Sequence, residues 1–436
     1  MEKVAFHTLG CKVNQVETEQ MKEEFQKLGY DIADFTDVAD VYVINTCTVT
    51  HVSDRKCRSM IRRAVKRNPH AIVVAAGCGV QANPDQFAEI EGLRLVIGNK
   101  NKDQLAMLVD QYVRSGEKTF LRFVEPIEKQ DIPGMVIYSH HHKRTRAFVK
   151  IQDGCQSFCS YCIVPMARGP VRSKRPEDVM AEIRQLVDLG YEEIVLTGIH
   201  TGFYGIDLEN WNLNRLLRTL LQEVDGDYRI RLSSIEPREL TDELLDFIAL
   251  EPRICRHLHI PLQSGSDRVL QSMGRRYDRS YYQNLIQSTA DKIPDTAFTA
   301  DVMVGYPTEE EADFRDTYEL IHDLPIADLH VFKYSMRQGT RAALITPQVD
   351  EMEKHQRSER LIELGNQKKQ AFISSMLGKT LTVVVERELS QDLYSALSDN
   401  YIDIVFKSRQ DLRGKLVNVT LTAVGENNAN GELCIR

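Results

Sequence analysis

Four times in this chain a short apolar, β-branched run ends at a cysteine. KVAFHTL leads to Cys11, VYVINT to Cys47, AIVVAAG to Cys78 and AFVKIQD to Cys155. Such runs read as buried parallel strands. The C-terminal ends of parallel strands share one edge, and α/β folds hold their ligands along it. The pattern therefore calls for an α/β fold with helical crossovers, and it places sulfur at the edge where chemistry is done.

Cys155 opens the loop IQDGCQSFCSYCIVP, and with Cys159 and Cys162 it makes a C-x3-C-x2-C spacing. Three thiolates this close can bind three irons of a [4Fe–4S] cube, and no fourth cysteine follows nearby. A ferredoxin run caps all four irons with cysteine and only passes electrons. A cube with one bare iron can coordinate a small molecule. Cys11, Cys47 and Cys78 share a strand-end position and read as a second three-cysteine site, although each alone reads as a small buried hydrophobe. Gly10 and Gly77 precede two of them and ease close backbone approach. Gly154 lets the chain turn sharply before Cys155. Cys57, Cys255 and Cys434 share no such pattern and read as structural or free thiols.

The alternation of strand and helix divides the chain. Residues 1–124 read as a doubly wound parallel sheet, with a fourth strand at Arg94 to Ile97 and helices over Glu17 to Leu28, Val52 to Arg67 and Lys102 to Arg114. Residues 125–146 read as a linker, and its His140–His142 run as solvated. Residues 147–376 repeat the βα unit about six times, in AFVKIQD, EIVLTG, RIRLSSI, RHLHIPL, TAFTADVMVG and LHVFKYS. That suits a partial (β/α)6 TIM-like barrel with a long exit helix. Residues 377–436 change to strands separated by polar turns (LTVVVERE, YIDIVFKS, KLVNVTLTAV, GELCIR), which predicts a small antiparallel β-barrel, OB-like in size.

Nine cysteines among 436 residues, without a signal-peptide pattern, point to metal or redox chemistry in a reducing cytoplasm rather than to a disulfide framework. No run nears the roughly 18 apolar residues of a membrane helix, so no membrane partner is expected. The net charge of −8 gives no global sign of nucleic-acid binding. One segment departs from it: positions 54–67 hold Arg55, Lys56, Arg58, Arg62, Arg63, Lys66 and Arg67 against the single acid Asp54. A charge run of this kind is ordinarily a solvated helix face. This one begins just after Cys47, which favours an RNA phosphate contact. Lys143, Arg144 and Arg146, then Arg172, Lys174 and Arg175, add cations near the barrel mouth.

CQSFCSYC resembles the signature of radical S-adenosylmethionine enzymes. TLGCKVNQVET, VINTCTVT and AAGC resemble the three cysteine segments of the methylthiotransferase N-terminal domain. VPMARGPVRSK, LTGIHTGFYG, LSSIEP, HIPLQSGSDRVLQSMGR and DVMVGYPTEEEADF resemble further segments of that family, and the last region is similar to a TRAM domain. TLGCKVN is most similar to the branch acting on threonylcarbamoyladenosine of tRNA.

The resemblance implies two [4Fe–4S] clusters, with Cys155, Cys159 and Cys162 binding the radical-generating one and Cys11, Cys47 and Cys78 the sulfur-supplying one. It implies S-adenosylmethionine as both radical source and methyl donor. Tyr161, Gly198, Ser234, Glu236 and Gln263 would contact this cofactor, and each has the alternative of satisfying local backbone groups. Arg168 and Arg172 would meet substrate or the cofactor carboxylate. The expected activity is methylthiolation of threonylcarbamoyladenosine at position 37 in the tRNA anticodon loop, driven by an external one-electron reductant. The alternatives are the isopentenyladenosine branch, the branch acting on an aspartate of a ribosomal protein, and a non-catalytic iron–sulfur carrier or RNA-binding sensor.

Overall fold

A computed structural model describes residues 2–129, 134 and 144–434 of the chain. His140–His142 and Lys143 lie outside them. The chain divides into two compact units. The first comprises Met1–Ser139, Gln152–Lys174 and Ser335–Ala343, and the second His140–Ile151, Arg175–Tyr334 and Leu344–Arg436.

The first unit is built on a sheet of β1 (Lys3–Thr8), β2 (Asp31–Ala33), β3 (Val41–Thr46), β4 (Ile72–Gly77), β5 (Leu93–Ile97) and β6 (Leu121–Phe123). Every pairing is parallel and the spatial order is β2-β1-β3-β4-β5-β6. All six residues of β3 are buried, as a central strand covered on both faces requires. One core gathers Val4, Phe25, Val43, Val74 and Leu95. The other gathers Ala5, Tyr42, Ile44, Ile61 and Val96. This confirms the doubly wound α/β reading. The short edge strands β2 and β6 were not expected from sequence. Helix α1 (Lys12–Lys27) begins five residues before the expected Glu17, with Cys11 at its N-cap. Helix α2 spans His51–Arg67, and Thr50 Oγ1 caps it by accepting from Ser53 N at 3.2 Å.

In the second unit β7 (Ala147–Asp153, of which Ala147–Ile151 count here), β9 (Glu193–Gly198) and β10 (Arg229–Leu232) lie side by side, as do β11 (His257–His259), β12 (Ala297–Val304) and β13 (Ile326–Lys333). A parallel bridge between Ile230 and Ile254 links the two sets. Six parallel strands in chain order make the expected partial barrel. The short β8 (Arg172–Ser173) pairs antiparallel with Gln152 and Asp153 in the first unit.

Five strands close the C-terminal barrel: β14 (Thr380–Ser390), β15 (Leu393–Ser398), β16 (Asp403–Lys407), β17 (Leu416–Val424) and β18 (Ala429–Leu433). Sequence reading gave four of them. β15 was hidden because its flanks Gln391, Asp392, Asp399 and Asn400 read as turn, and the run LYSALS is short and mixed. Ile373 and Met376, at the end of the exit helix Glu351–Ser375, enter this barrel's core.

A buried cationic joint connects the partial barrel to the small one. Glu193, at the start of β9, receives Arg231 Nε at 2.7 Å and Arg229 Nε at 2.7 Å. The same guanidinium groups donate to main-chain carbonyls of Thr382 (2.7 Å), Leu397 (3.0 Å), Ser398 (2.8 Å) and Asp399 (2.9 Å). Arg146 Nη2 adds an ion pair to Glu386 at 2.8 Å.

Candidate active site

The strand order of the first sheet reverses between β1 and β3, and doubly wound sheets bind ligands outside such a reversal. Cys11 follows β1 and Cys47 follows β3, so both stand at that crevice. Cys78 opens the short helix α3 (Cys78–Ala82) after the adjacent β4. A polar network fixes the three turns to one another. Asn14 Nδ2 donates to Leu9 O at 2.7 Å and Thr46 O at 3.1 Å, and Asn45 Nδ2 donates to Asn14 O at 2.9 Å. Thr46 Oγ1 donates to Ala76 O at 2.6 Å and accepts from Gly79 N at 3.1 Å. Gly10 has φ +102°, and a Cβ there would lie 3.1 Å from Cys47 Sγ. Glycine at this position keeps the sulfur's approach open.

Charge gathers behind these sulfurs. Arg168, only 1% exposed, donates from Nε to Cys78 Sγ at 3.0 Å. Its Nη1 pairs with Asp153 Oδ2 at 3.2 Å, its Nη2 donates to Glu17 Oε2 at 3.1 Å, and it also bonds Asn14 Oδ1. Lys102 Nζ reaches the same Glu17 carboxylate at 2.5 Å. Burial pushes the Cys47 thiol up. Desolvation of the sulfur does the same at Cys11, an otherwise exposed residue, against the pull of the Arg168 guanidinium. Burial thus favours neutral thiols at Cys11 and Cys47, and a bound cation would supply the charge that converts them to thiolate ligands. Among the described residues, none of the six motif cysteines belongs to a three-donor set tight enough for a single ion.

The loop of Cys155, Cys159 and Cys162 belongs to the same unit, with all three cysteines half-buried. Gly154 (φ +75°) admits no side chain, since a Cβ would fall 1.8 Å from Pro170 O. Cys155 N donates to Gly169 O at 3.1 Å, and Cys162 N to Cys159 O at 3.0 Å. The segment Ser335–Ala343 braces this loop, with Ala342 N donating to Ser160 O at 2.8 Å and Arg341 Nη2 to Phe158 O at 2.7 Å. Its Arg337 pairs with Asp54 at 2.6 Å and donates to Val49 O at 3.3 Å, just beyond Cys47. Glu17, Lys102, Asn14 and Arg337 were all missed in the sequence. Only their convergence from distant segments marks them.

Arg168 and Arg172, expected to meet substrate or the cofactor carboxylate, are both buried: Arg168 in the network above, Arg172 donating to Arg168 O at 2.8 Å. Short helix Val164–Arg168 turns the first of them inward toward α1. By contrast Arg55, Lys56, Arg62, Arg63, Lys66 and Arg67 are exposed on α2, with Arg58 half-buried. Cys57, Ile61 and Ala64 are the buried residues of that helix.

Tyr161 stands in the loop of the first unit and is half-buried. Gly198, Ser234, Glu236 and Gln263 belong to the second unit, at or just beyond strand ends. Gly198 closes β9, and Ser234 follows β10. Glu236 is engaged by Arg275 Nη1 at 2.6 Å. Gln263 is buried with φ +66°, a strained backbone for this residue, held by Gln263 N donating to Asp301 O at 2.8 Å. Its Oε1 is a buried acceptor with no hydrogen-bond partner among the described residues. An orphaned acceptor on a strained strand end fits a site that binds a polar cofactor.

Residues 3–98 match a family described as uncharacterized protein family UPF0004, and residues 149–321 match the radical SAM superfamily. The chain is 41% identical to the threonylcarbamoyladenosine tRNA methylthiotransferase MtaB of Bacillus subtilis (strain 168), covering 98% of this chain and 95% of that one. It is 40% identical to the MtaB of Aquifex aeolicus (strain VF5), over 96% and 100%. It is 33% identical to the tRNA-2-methylthio-N(6)-dimethylallyladenosine synthase of Carboxydothermus hydrogenoformans, over 95% of each. Among solved structures, the radical S-adenosylmethionine methyltransferase TsrM from Kitasatospora setae, with cobalamin and a [4Fe–4S] cluster bound, shares the fold. Its TM-score is 0.58 at 14% identity, over 79% of this chain and 77% of that one. Two family matches that contain the two sets of cysteines and near full-length identity of 40–41% lead to one conclusion: this chain belongs to the threonylcarbamoyladenosine tRNA methylthiotransferases of the radical SAM superfamily.

Proposed function

We propose that this enzyme converts N6-threonylcarbamoyladenosine to its 2-methylthio derivative at position 37 in the tRNA anticodon loop, in the cytoplasm, with an external one-electron reductant. The observation that supports this most directly is the placing of Cys11, Cys47 and Cys78 at one sheet edge, beside the exposed cations of α2. As a radical SAM enzyme the protein uses S-adenosylmethionine and [4Fe–4S] chemistry. When bound, these groups would supply radical hydrogen abstraction, sulfur for insertion at adenine C2, and the methyl group.

The chain's own residues position those groups. Cys155, Cys159 and Cys162 would hold one cluster and Cys11, Cys47 and Cys78 the other. Arg168 and Lys102 offset the thiolate charge from behind, while Glu17 and Asp153 keep the two cations buried. Gln263 Oε1 would accept a hydrogen bond from S-adenosylmethionine, with Tyr161, Gly198, Ser234 and Glu236 as its other contacts. The exposed arginines and lysines of α2 would meet RNA phosphates. The same proposal divides the chain at 1–124, 125–146, 147–376 and 377–436.

Reconstituted protein incubated with tRNA, reductant and S-adenosylmethionine should yield 2-methylthio-threonylcarbamoyladenosine on mass spectrometry of the nucleosides. Product on isopentenyladenosine tRNA instead, or no change in tRNA from a deletion strain, would overturn the substrate assignment.

A further inference from the structure

Three side chains of the second unit meet on a strand face that the proposal above leaves unassigned. On β12, Phe298, Ala300 and Val302 share one face, and the alternating Thr299 and Asp301 project from the other. On β13, Leu329 packs beneath Gly365 of the exit helix, where a Cβ would lie 3.2 Å from Leu329 Cβ. His330, the next residue, therefore points the opposite way. Asp301 and His330 are register partners, and His259 of β11 lies opposite Thr299, diagonal to Asp301. Such neighbours on one sheet face are close enough to act together.

His259 Nε2 and His330 Nδ1 each lie 3.3 Å from Asp301 Oδ1. All three atoms fall within 4.8 Å of one another, the only such set among the described residues. Charge-assisted N–H···O bonds are normally shorter, about 2.7–2.9 Å. Ligand atoms sharing one ion at about 2.1 Å stand about 3.0–3.4 Å apart, and both histidine–carboxylate distances are of that size. His259 Nδ1 meets Thr299 Oγ1 at 2.8 Å, and the same hydroxyl meets His257 Nε2 at 3.0 Å. With Nδ1 held by that hydroxyl, the His259 Nε2 lone pair can face Asp301. Metal-binding histidines are oriented by this kind of outer contact.

We propose that His259, Asp301 and His330 bind a divalent first-row transition cation. Two imidazoles and one carboxylate suit the series from manganese to zinc, and three protein ligands leave positions for water or another oxygen donor. The site uses none of the six cluster cysteines, so it stands or falls apart from the iron–sulfur assignment.

The test is Mn2+ titration of the cluster-loaded, full-length protein followed by EPR, since Mn2+ avoids thiolates. Wild type should take up one equivalent, which Zn2+ displaces. His330→Ala, whose side chain is 62% exposed and whose loss should leave the fold intact by circular dichroism, should bind at least tenfold more weakly. Thr299→Val should weaken binding several-fold by releasing the His259 ring. Wild type without stoichiometric uptake of either ion, or a His330→Ala variant that binds as wild type does, would overturn the proposal.

Discussion

Arg168 Nε lies 3.0 Å from Cys78 Sγ, so a guanidinium from just behind the Cys155–Cys162 loop touches a cysteine of the N-terminal sheet. Its remaining nitrogens hold Glu17, Asp153 and Asn14 in the interior. Removing one partner of a buried ion pair leaves an uncompensated charge, at a cost of about 3–5 kcal/mol. Arg168→Ala is expected to lower stability by that amount in urea unfolding. Arg168→Lys should rescue little, because an ammonium cannot reproduce the planar fork. A lysine variant as stable as wild type would show that the network does not depend on the fork.

The two cysteine sets are expected to load independently. A Cys155/Cys159/Cys162 triple alanine variant should retain about half the iron and sulfide of wild type on chemical analysis, following one of two [4Fe–4S] sites. It should form no 5′-deoxyadenosine. Iron near zero would refute a separate site on Cys11, Cys47 and Cys78.

Gly154→Ala tests the loop by backbone alone. The added Cβ would meet Pro170 O at 1.8 Å, at a φ of +75° that disfavours it. Cofactor cleavage should fall at least tenfold while the protein stays folded, because the strain is confined to a loop. Wild-type formation of 5′-deoxyadenosine would show that the turn is dispensable.

These three predictions draw on different depths of the sequence. Strand-end cysteines and the C-x3-C-x2-C spacing were legible because they sit at fixed offsets from β-branched runs. The buried ion network was not. Glu17, Lys102 and Arg168 each look like an ordinary surface charge, and only the closing of the sheet over α1 brings them together from positions 85 and 151 residues apart. The partners of Arg168 were hidden for the same reason: an arginine past a cysteine loop shows none of its buried contacts in the sequence. Strand β15 failed differently, through polar flanks that outweighed a short apolar core.

Glu193 makes stability depend on acid. Its buried carboxyl loses solvation, which would raise its pKa, yet Arg231 and Arg229 hold it down at about 2 against an ordinary 4.5. A depressed carboxylate stabilises the fold fully above its unfolded pKa, and the contribution fades as pH falls toward the folded value. Unfolding free energy should therefore drop between about pH 4.5 and pH 2. Glu193→Gln should flatten this part of the profile and cost about 3 kcal/mol at neutral pH. A variant with an unchanged acid profile would assign the loss to other carboxylates.

Helix α2 should contribute to RNA binding through salt-sensitive contacts. Replacing exposed Arg62, Arg63 and Lys66 together with glutamine is expected to weaken tRNA binding roughly uniformly across sequences. The slope of log K against log salt should fall by about 0.7–0.9 for each phosphate the helix no longer neutralises. Since these side chains project from the solvated face of α2, thermal stability should change little. An unaltered salt slope would move the phosphate-binding cations elsewhere.

Arg229 and Arg231 grip the C-terminal barrel by four carbonyl oxygens, of Thr382, Leu397, Ser398 and Asp399. Every amino acid carries that oxygen, so the joint reads the path of the barrel's chain rather than its identity. The side chains of Thr382, Leu397, Ser398 and Asp399 can change without loss of these four bonds, provided the backbone of β14 and β15 keeps its course. The appended module is thus free to diversify its surface, and a barrel of foreign sequence with the same strand pair could be grafted onto the enzyme at this seam.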